Sequence, residues 1–279
     1  MRIHWFPGHM AKAVKMMKEE IKNVDSVVYV LDARVPRSSL SDAFEPVIGN
    51  KSRLYVLNKA DLVSAVELSK WVEYFRSKGA ACIYTNSASK KDAPKIIKSL
   101  NELNAAVIAR YREKGVNKIV RAMVIGIPNS GKSTLINSLA PSKRAVTGNR
   151  PGVTRGKQWI SIGRSIELLD SPGVLYPDFS DEGKAVRLAM VGSIRDEVVD
   201  QTELAAEAYK IISRLDPEAL AARYGKLPES LSPSEALEEI AKIRGLLQRG
   251  GVPDIPRVSQ AFINDYRKGY LTKLPLDEL

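Results

Sequence analysis

Cysteine and histidine are nearly absent: the 279 residues contain one cysteine and two histidines. A lone Cys82 excludes an internal disulfide, fits a reducing compartment, and sits in the apolar run "ACIYT" as a core residue would. No apolar run approaches the roughly 20 residues of a membrane span. The start "MRIHWFPGHM" has no signal-peptide pattern, so the expected setting is the cytoplasm, with no membrane partner. Acidic residues are missing from one long stretch: none occurs between Glu113 and Glu167, where ten Lys/Arg are found. Strand patterns are missing beyond about residue 200.

What is present is a soluble, globular composition, 44% hydrophobic and 27% charged, with a formal net charge of +11. The charge is uneven. Residues 1–192 carry 31 Lys/Arg against 17 Asp/Glu, whereas 193–279 carry 12 against 15. Such a field attracts a polyanion such as RNA, and it also fits a basic, well-solvated surface.

Apolar residues Met10, Val14, Met17, Ile21 and Val24 recur at helical spacing, with Lys12, Lys15, Lys18 and Lys22 between them. "SVVYVLD" (26–32), "SRLYVLN" (52–58), "ACIYT" (81–85) and "KIVRAMVIG" (118–126) read as buried strands, the first ending in an acid. Helices are expected at about 64–78, 92–114, from Lys132 and at about 181–192. "KQWISIG" and "SIELLD" form a hairpin around Gly163. Strands alternating with helices imply a mostly parallel sheet covered on both faces. The expected organisation is an α/β domain, 1–192, followed by a small all-helical domain, 193–279.

"GIPNSGKST" (126–134) carries the spacing Gly126, Gly131, Lys132, Ser133, between a strand and a helix. Backbone N–H groups of such a loop, including those of Ser130 and Thr134, face phosphates. Lys132 adds charge and Ser133 a hydroxyl for magnesium, and the helix directs its positive end at the anion. "NKAD" (58–61) ends another strand. An aspartate at Asp61 can accept both the N1–H and the amino group of guanine, which adenine cannot offer. Such a site rejects the wrong base by on the order of 10⁴. Asn58 and Lys59 belong to the same turn, and Ser87 with Ala88, after the next strand, can close the base pocket. "DSPG" (170–173) offers Asp170 to magnesium through water and the Gly173 N–H to a γ-phosphate; "RPGVTRG" offers Thr154 as a second metal hydroxyl.

The base-reading turn precedes the phosphate loop by some seventy residues. In that order, the elements resemble those of circularly permuted GTPases, with the P-loop GTPase domain retained and its strands reconnected. Together with "HWFPGHM", "DARVP" (32–36) and "INDYRKGYL", they resemble the bacterial ribosome biogenesis GTPase A family over nearly the whole chain. The resemblance implies GTP hydrolysis to GDP and phosphate in late assembly of the large (50S) ribosomal subunit. It also implies binding of pre-ribosomal RNA rather than DNA, with GTP/GDP, Mg²⁺ and K⁺ as ligands. It places potassium at Asn129 and puts Val174 where conventional GTPases carry a catalytic glutamine. His9 then becomes the candidate catalytic group beside Lys132; a packing or RNA-contact role for His9 stays open.

Two readings of different class follow: a GTP-hydrolysing switch, or a GTP-gated RNA-binding scaffold whose hydrolysis is incidental. The expected RNA surfaces are Lys143, Arg144, Arg150, Arg155, Lys157 and Arg164, and Lys242, Arg244, Arg249, Arg257, Arg267 and Lys268. A short helix leads from "DSPG" into the helical region, so nucleotide state is expected to reach residues 193–279.

Overall fold

The computed structural model describes residues 8–140, 158–173 and 181–279. Its α/β part contains α1 (Gly8–Glu20), β1 (Ser26–Asp32), α2 (Glu45–Ile48), β2 (Ser52–Asn58), α3 (Ala65–Ser77), β3 (Ala81–Thr85) and α4 (Ala93–Leu103). It continues with α5 (Ala105–Arg112), β4 (Val120–Ile125), α6 (Lys132–Leu139), β5 (Gln158–Ile162) and β6 (Ile166–Asp170). The strands form one sheet in the order β3-β2-β1-β4-β6-β5, parallel except for the antiparallel β5–β6 hairpin.

Every residue of β1 is buried, as its uninterrupted apolar run requires. Val27, Tyr29 and Leu31 face a core with Met17, Trp71 and Phe75; Val28 and Val30 face another with Ile96, Leu100, Leu135 and Ile136. From β1 the chain runs outward one way through β2 and β3, then returns to β4 on the other side of β1. The β1/β4 junction is therefore the topological switch point, where open parallel sheets take their ligands.

The single helix expected over 92–114 is two helices. Asn104 interrupts it, donating through Nδ2 to the Ser26 hydroxyl (3.0 Å) and the Leu100 carbonyl (2.8 Å). This bond to the base of β1 fixes the bend; its partner is remote in sequence.

Beyond the sheet come α7 (Glu182–Met190), α8 (Gln201–Leu215), α9 (Pro217–Tyr224), α10 (Pro233–Ile243) and α11 (Ile255–Arg267). Their starts are written locally: Asp200, Asp216, Ser232 and Asp254 cap α8 to α11, and Pro217, Pro233 and Pro256 lie in the first turn. One apolar core joins these helices and includes Val186, Leu188 and Met190 of α7, Leu271 and Leu276 near the chain end, and Val35 and Ile127 from two sheet loops. Thus α7 packs with the helical bundle. Among the described residues no helix is long and apolar enough to cross a membrane.

Candidate nucleotide site

Five loops leave the C-terminal ends of parallel strands along one edge of the sheet: after β1 (Asp32), β2 (Asn58), β3 (Thr85), β4 (Ile125) and β6 (Asp170). The loop after β4 is the phosphate loop. Asn129 (φ +58°) and Gly131 (φ +93°) flank Ser130, a handedness that turns successive N–H groups toward one concavity. A Cβ at Gly131 would collide with the Asn58 amide, so only glycine fits there. Lys132 is buried and folds back to donate to the carbonyls of Ile127 (2.7 Å) and Gly126 (3.1 Å). Burial pushes its pKa down to about 8, against the pull of Asp170 and with a smaller push from Lys59.

Ser133 donates to Asp170 Oδ2 at 3.2 Å, bringing a hydroxyl and a carboxylate together beside the loop. Two hard oxygens of this kind fit Mg²⁺, which keeps water and phosphate oxygens for its other positions. Gly173 lies against the same loop: a Cβ there would sit 2.8 Å from both Lys132 Nζ and Pro128 Cα. Thr134 is half-buried in the first turn of α6.

The base-reading turn is built differently. Asn58 is buried and bridges two loops, donating to the Ser130 carbonyl (2.7 Å) and accepting from the Ser87 N–H (3.1 Å). Lys59 adopts φ +60° and pairs with the buried Asp32 at 2.8 Å. Asp61 presents an exposed carboxylate from the one-turn 3₁₀ segment Ala60–Leu62. Ala88 follows with its N–H on Asn86 Oδ1 (3.0 Å), and Asp92 holds the start of that loop through Thr85 and the Asn86 N–H. The Ser87 and Ser130 hydroxyls are buried with no hydrogen-bond partner among the described residues.

Asp32 and Arg34, which no spacing argument had given a role, prove central. Arg34 Nε and Nη2 clamp Asp32 at 2.9 and 2.7 Å. Burial alone would raise the Asp32 pKa; Arg34 and Lys59 overcome it and hold the carboxyl well below the usual carboxylate range. The same guanidinium donates to the carbonyls of Val191 (3.4 Å) and Arg267 (3.3 Å) and lies over the Tyr266 ring. The available signal was an acid closing a wholly apolar strand at the switch point. Asn129 also reaches the helical part, donating to the Gly192 carbonyl at 2.6 Å.

His9 lies in the first turn of α1, and its side chain is outside the described part of the structure. Thr154, Val174, Lys143, Arg144, Arg150, Arg155 and Lys157 lie outside the described residues. In the helical part the expected basic residues differ in their surroundings. Arg267 turns into the joint, pairing with Asp196 (2.7 Å) and the Met190 and Ala189 carbonyls. Arg244 pairs with Asp265 (3.0 Å) and Lys242 with Glu239 (2.6 Å). Lys242, Arg244, Arg249, Arg257 and Lys268 are exposed, as is Arg164 at the β5–β6 turn.

A parallel sheet with a phosphate loop, a guanine-type "NKAD" turn and a "DSPG" loop on one edge, strung in rotated order, defines a circularly permuted P-loop GTPase. A family model described as "50S ribosome-binding GTPase" matches residues 121–224, from the phosphate-loop strand onward. Ribosome biogenesis GTPase A of Priestia megaterium is 38% identical over 100% of this chain and 97% of its own. That of Thermotoga maritima is 32% identical over 95% and 90%. The chain belongs to the ribosome biogenesis GTPase A family. Among solved structures, GNP-bound YlqF from T. maritima superposes with a TM-score of 0.69 at 28% identity, covering 96% of this chain and 98% of that one. A GDP-bound YlqF structure gives 0.68 at 29% identity, covering 94% and 98%.

Proposed function

We propose that this GTPase is a nucleotide-driven switch in late assembly of the large ribosomal subunit, binding pre-ribosomal RNA in the cytoplasm. The observation that carries the reading is the convergence of the base-reading turn, the phosphate loop and "DSPG" on one edge of the sheet, where Arg34 and Asn129 also bond the Val191, Arg267 and Gly192 carbonyls of the helical part. The family relationship supports the ribosomal setting.

In this reading Asp61 accepts the two guanine donors, and the Ser87–Ala88 backbone closes over the base. Lys132 exchanges its loop carbonyls for β- and γ-phosphate oxygens and steadies charge as the terminal bond breaks. Ser133, Thr154 and, through water, Asp170 would hold Mg²⁺, which would neutralise phosphate charge when bound. Gly173 N–H meets the γ-phosphate. Asn129, whose amide nitrogen donates to the Gly192 carbonyl, is the residue that would hold K⁺. His9 replaces the glutamine that Val174 lacks, and Arg249, Arg257, Lys268 and Arg164 meet RNA, with steep salt dependence.

The test is GTP turnover with and without large subunits. A switch starting near 10⁻⁴ to 10⁻³ s⁻¹ is accelerated by roughly 10³ or more on its particle. Unaccelerated turnover with nucleotide-dependent particle binding would instead establish the scaffold reading, which Val174 in place of a glutamine leaves open. Equal rates in sodium and potassium remove the role of Asn129, and full stimulated turnover in His9→Ala removes that of His9.

A further inference from the structure

The base-reading turn is incomplete in its own segment. A 3₁₀ turn joins Leu62 N–H to the Lys59 carbonyl (3.0 Å) and Val63 N–H to the Ala60 carbonyl (3.3 Å). The next bond in that series would join Ser64 N–H to the Asp61 carbonyl. It is not made, because Val63 swings to extended backbone (φ −129°, ψ 150°) and opens the turn. Lys273 fills the gap with both partners at once. Its ammonium donates to the Asp61 carbonyl at 2.9 Å, and its own carbonyl accepts from Ser64 N–H at 2.9 Å. Close by, Gly269 is packed so that an added Cβ would come within 3.1 Å of Leu62 Cδ2.

Lys273 is itself held by the helical bundle. Thr272 donates to Asp216 at 2.7 Å, between α8 and α9, and accepts from Leu274 N–H at 3.0 Å. Leu271 and Leu276 are buried in the bundle core. Farther on, Leu276 N–H donates to the Arg34 carbonyl (2.8 Å). Asp277 accepts from Ser38 N–H (2.7 Å) and the Ser38 hydroxyl (2.6 Å) and pairs with Arg187 of α7 (3.0 Å). Residues 269–277 are thus a strap, fixed to the bundle at one end and to the β1 loop and α7 at the other, crossing the guanine-reading turn between.

We propose that this strap, through Lys273, is a specificity-determining element of the guanine site: it sets the tilt of Asp61 so that the carboxylate meets both base donors together. The proposal rests on the assignment of Asp61 as the base reader. Losing the tilt costs the second hydrogen bond first, the one to the exocyclic amino group. Inosine triphosphate, which lacks that group, reports the loss directly.

The experiment measures binding of GTP and ITP to the full chain by titration calorimetry. In Lys273→Ala the GTP:ITP affinity ratio falls by roughly three- to tenfold, the span of one net hydrogen bond, while ITP binding and thermal midpoint hold. Lys273→Arg restores most of the ratio. Thr272→Val, which loosens the anchor without touching the turn, lowers the ratio in the same direction. An unchanged ratio in both Lys273→Ala and Thr272→Val overturns the proposal. So does an equal fall for GTP and ITP with a lowered midpoint, which marks general destabilisation. Asp61→Asn provides the separate check, since it moves preference to xanthosine triphosphate if Asp61 reads the base. If that variant keeps its preference for GTP, the base-reader assignment fails and the strap proposal falls with it. If the preference moves and the Lys273→Ala ratio does not, the strap alone is overturned.

Discussion

The base side and the phosphate side of this site are finished to different degrees. On the base side the motif residues are tied to protein: Lys59 to Asp32, Asn58 to two loops, and the turn itself, through the Asp61 carbonyl, to Lys273. On the phosphate side Lys132 has only carbonyls of its own loop as described partners, and burial has already eroded its hold on a proton. One half is preorganised by charge pairing within the chain; the other is arranged so that an anion completes it. Preorganisation lowers the ordering cost of binding, and an unneutralised lysine strengthens the attraction to phosphate.

The contrast is broken most severely at Asp32. Asp32→Ala leaves the buried Arg34 guanidinium without its carboxylate and should cost about 3–5 kcal/mol of stability. Denaturant melts check it, and a loss below about 1 kcal/mol would show that the pairing is not what stabilises the base side. The same pair gives an acid dependence. Folded Asp32 stays ionised where an unfolded carboxyl, near 3.9, takes up a proton. Its contribution is therefore whole above about pH 5 and is lost as pH falls below about 4, a component absent from the variant.

Lys132→Ala comes next. Removing the one ammonium in the phosphate loop should lower GDP affinity by about a hundredfold while leaving the fold intact. The wild-type chain shows the same dependence by titration. Phosphate binds the protonated lysine, so GDP affinity should decline as pH rises past about 8, approaching tenfold per unit. A flat profile from pH 7 to 9.5 would mean that Lys132 stays charged and that the two sides are less different than their partners suggest. The smallest effect belongs to Ser87→Ala. Its hydroxyl is buried without a described partner, so stability should change by less than about 1 kcal/mol and GTP affinity should fall only about threefold.

Most of this site is legible in the residues, because each motif sits where a strand pattern stops. Gly131, Lys132 and Ser133 follow β4, Asp61 follows β2 and Asp170 ends β6, and a strand ending in a loop is a local pattern. The caps of α8 to α11 are equally local. What escapes is long-range. The break at Asn104 depends on Ser26, and the role of Arg34 on carbonyls of the helical bundle. The turn of Arg267 into the joint is invisible when charges are counted along the chain, because counting cannot see that Asp196 stands opposite it.

The bond between Lys273 and Asp61 spans 212 residues of sequence. Contacts of that separation form late, since the intervening chain must be ordered before they return any free energy. The strands that carry the base-reading turn, β1, β2 and β3, pair over far shorter separations than the one to Lys273. On the strap proposal, a growing or refolding chain would therefore gain its sheet before its fine discrimination among purines. Selectivity would then have a time of arrival, set by the last contact to close.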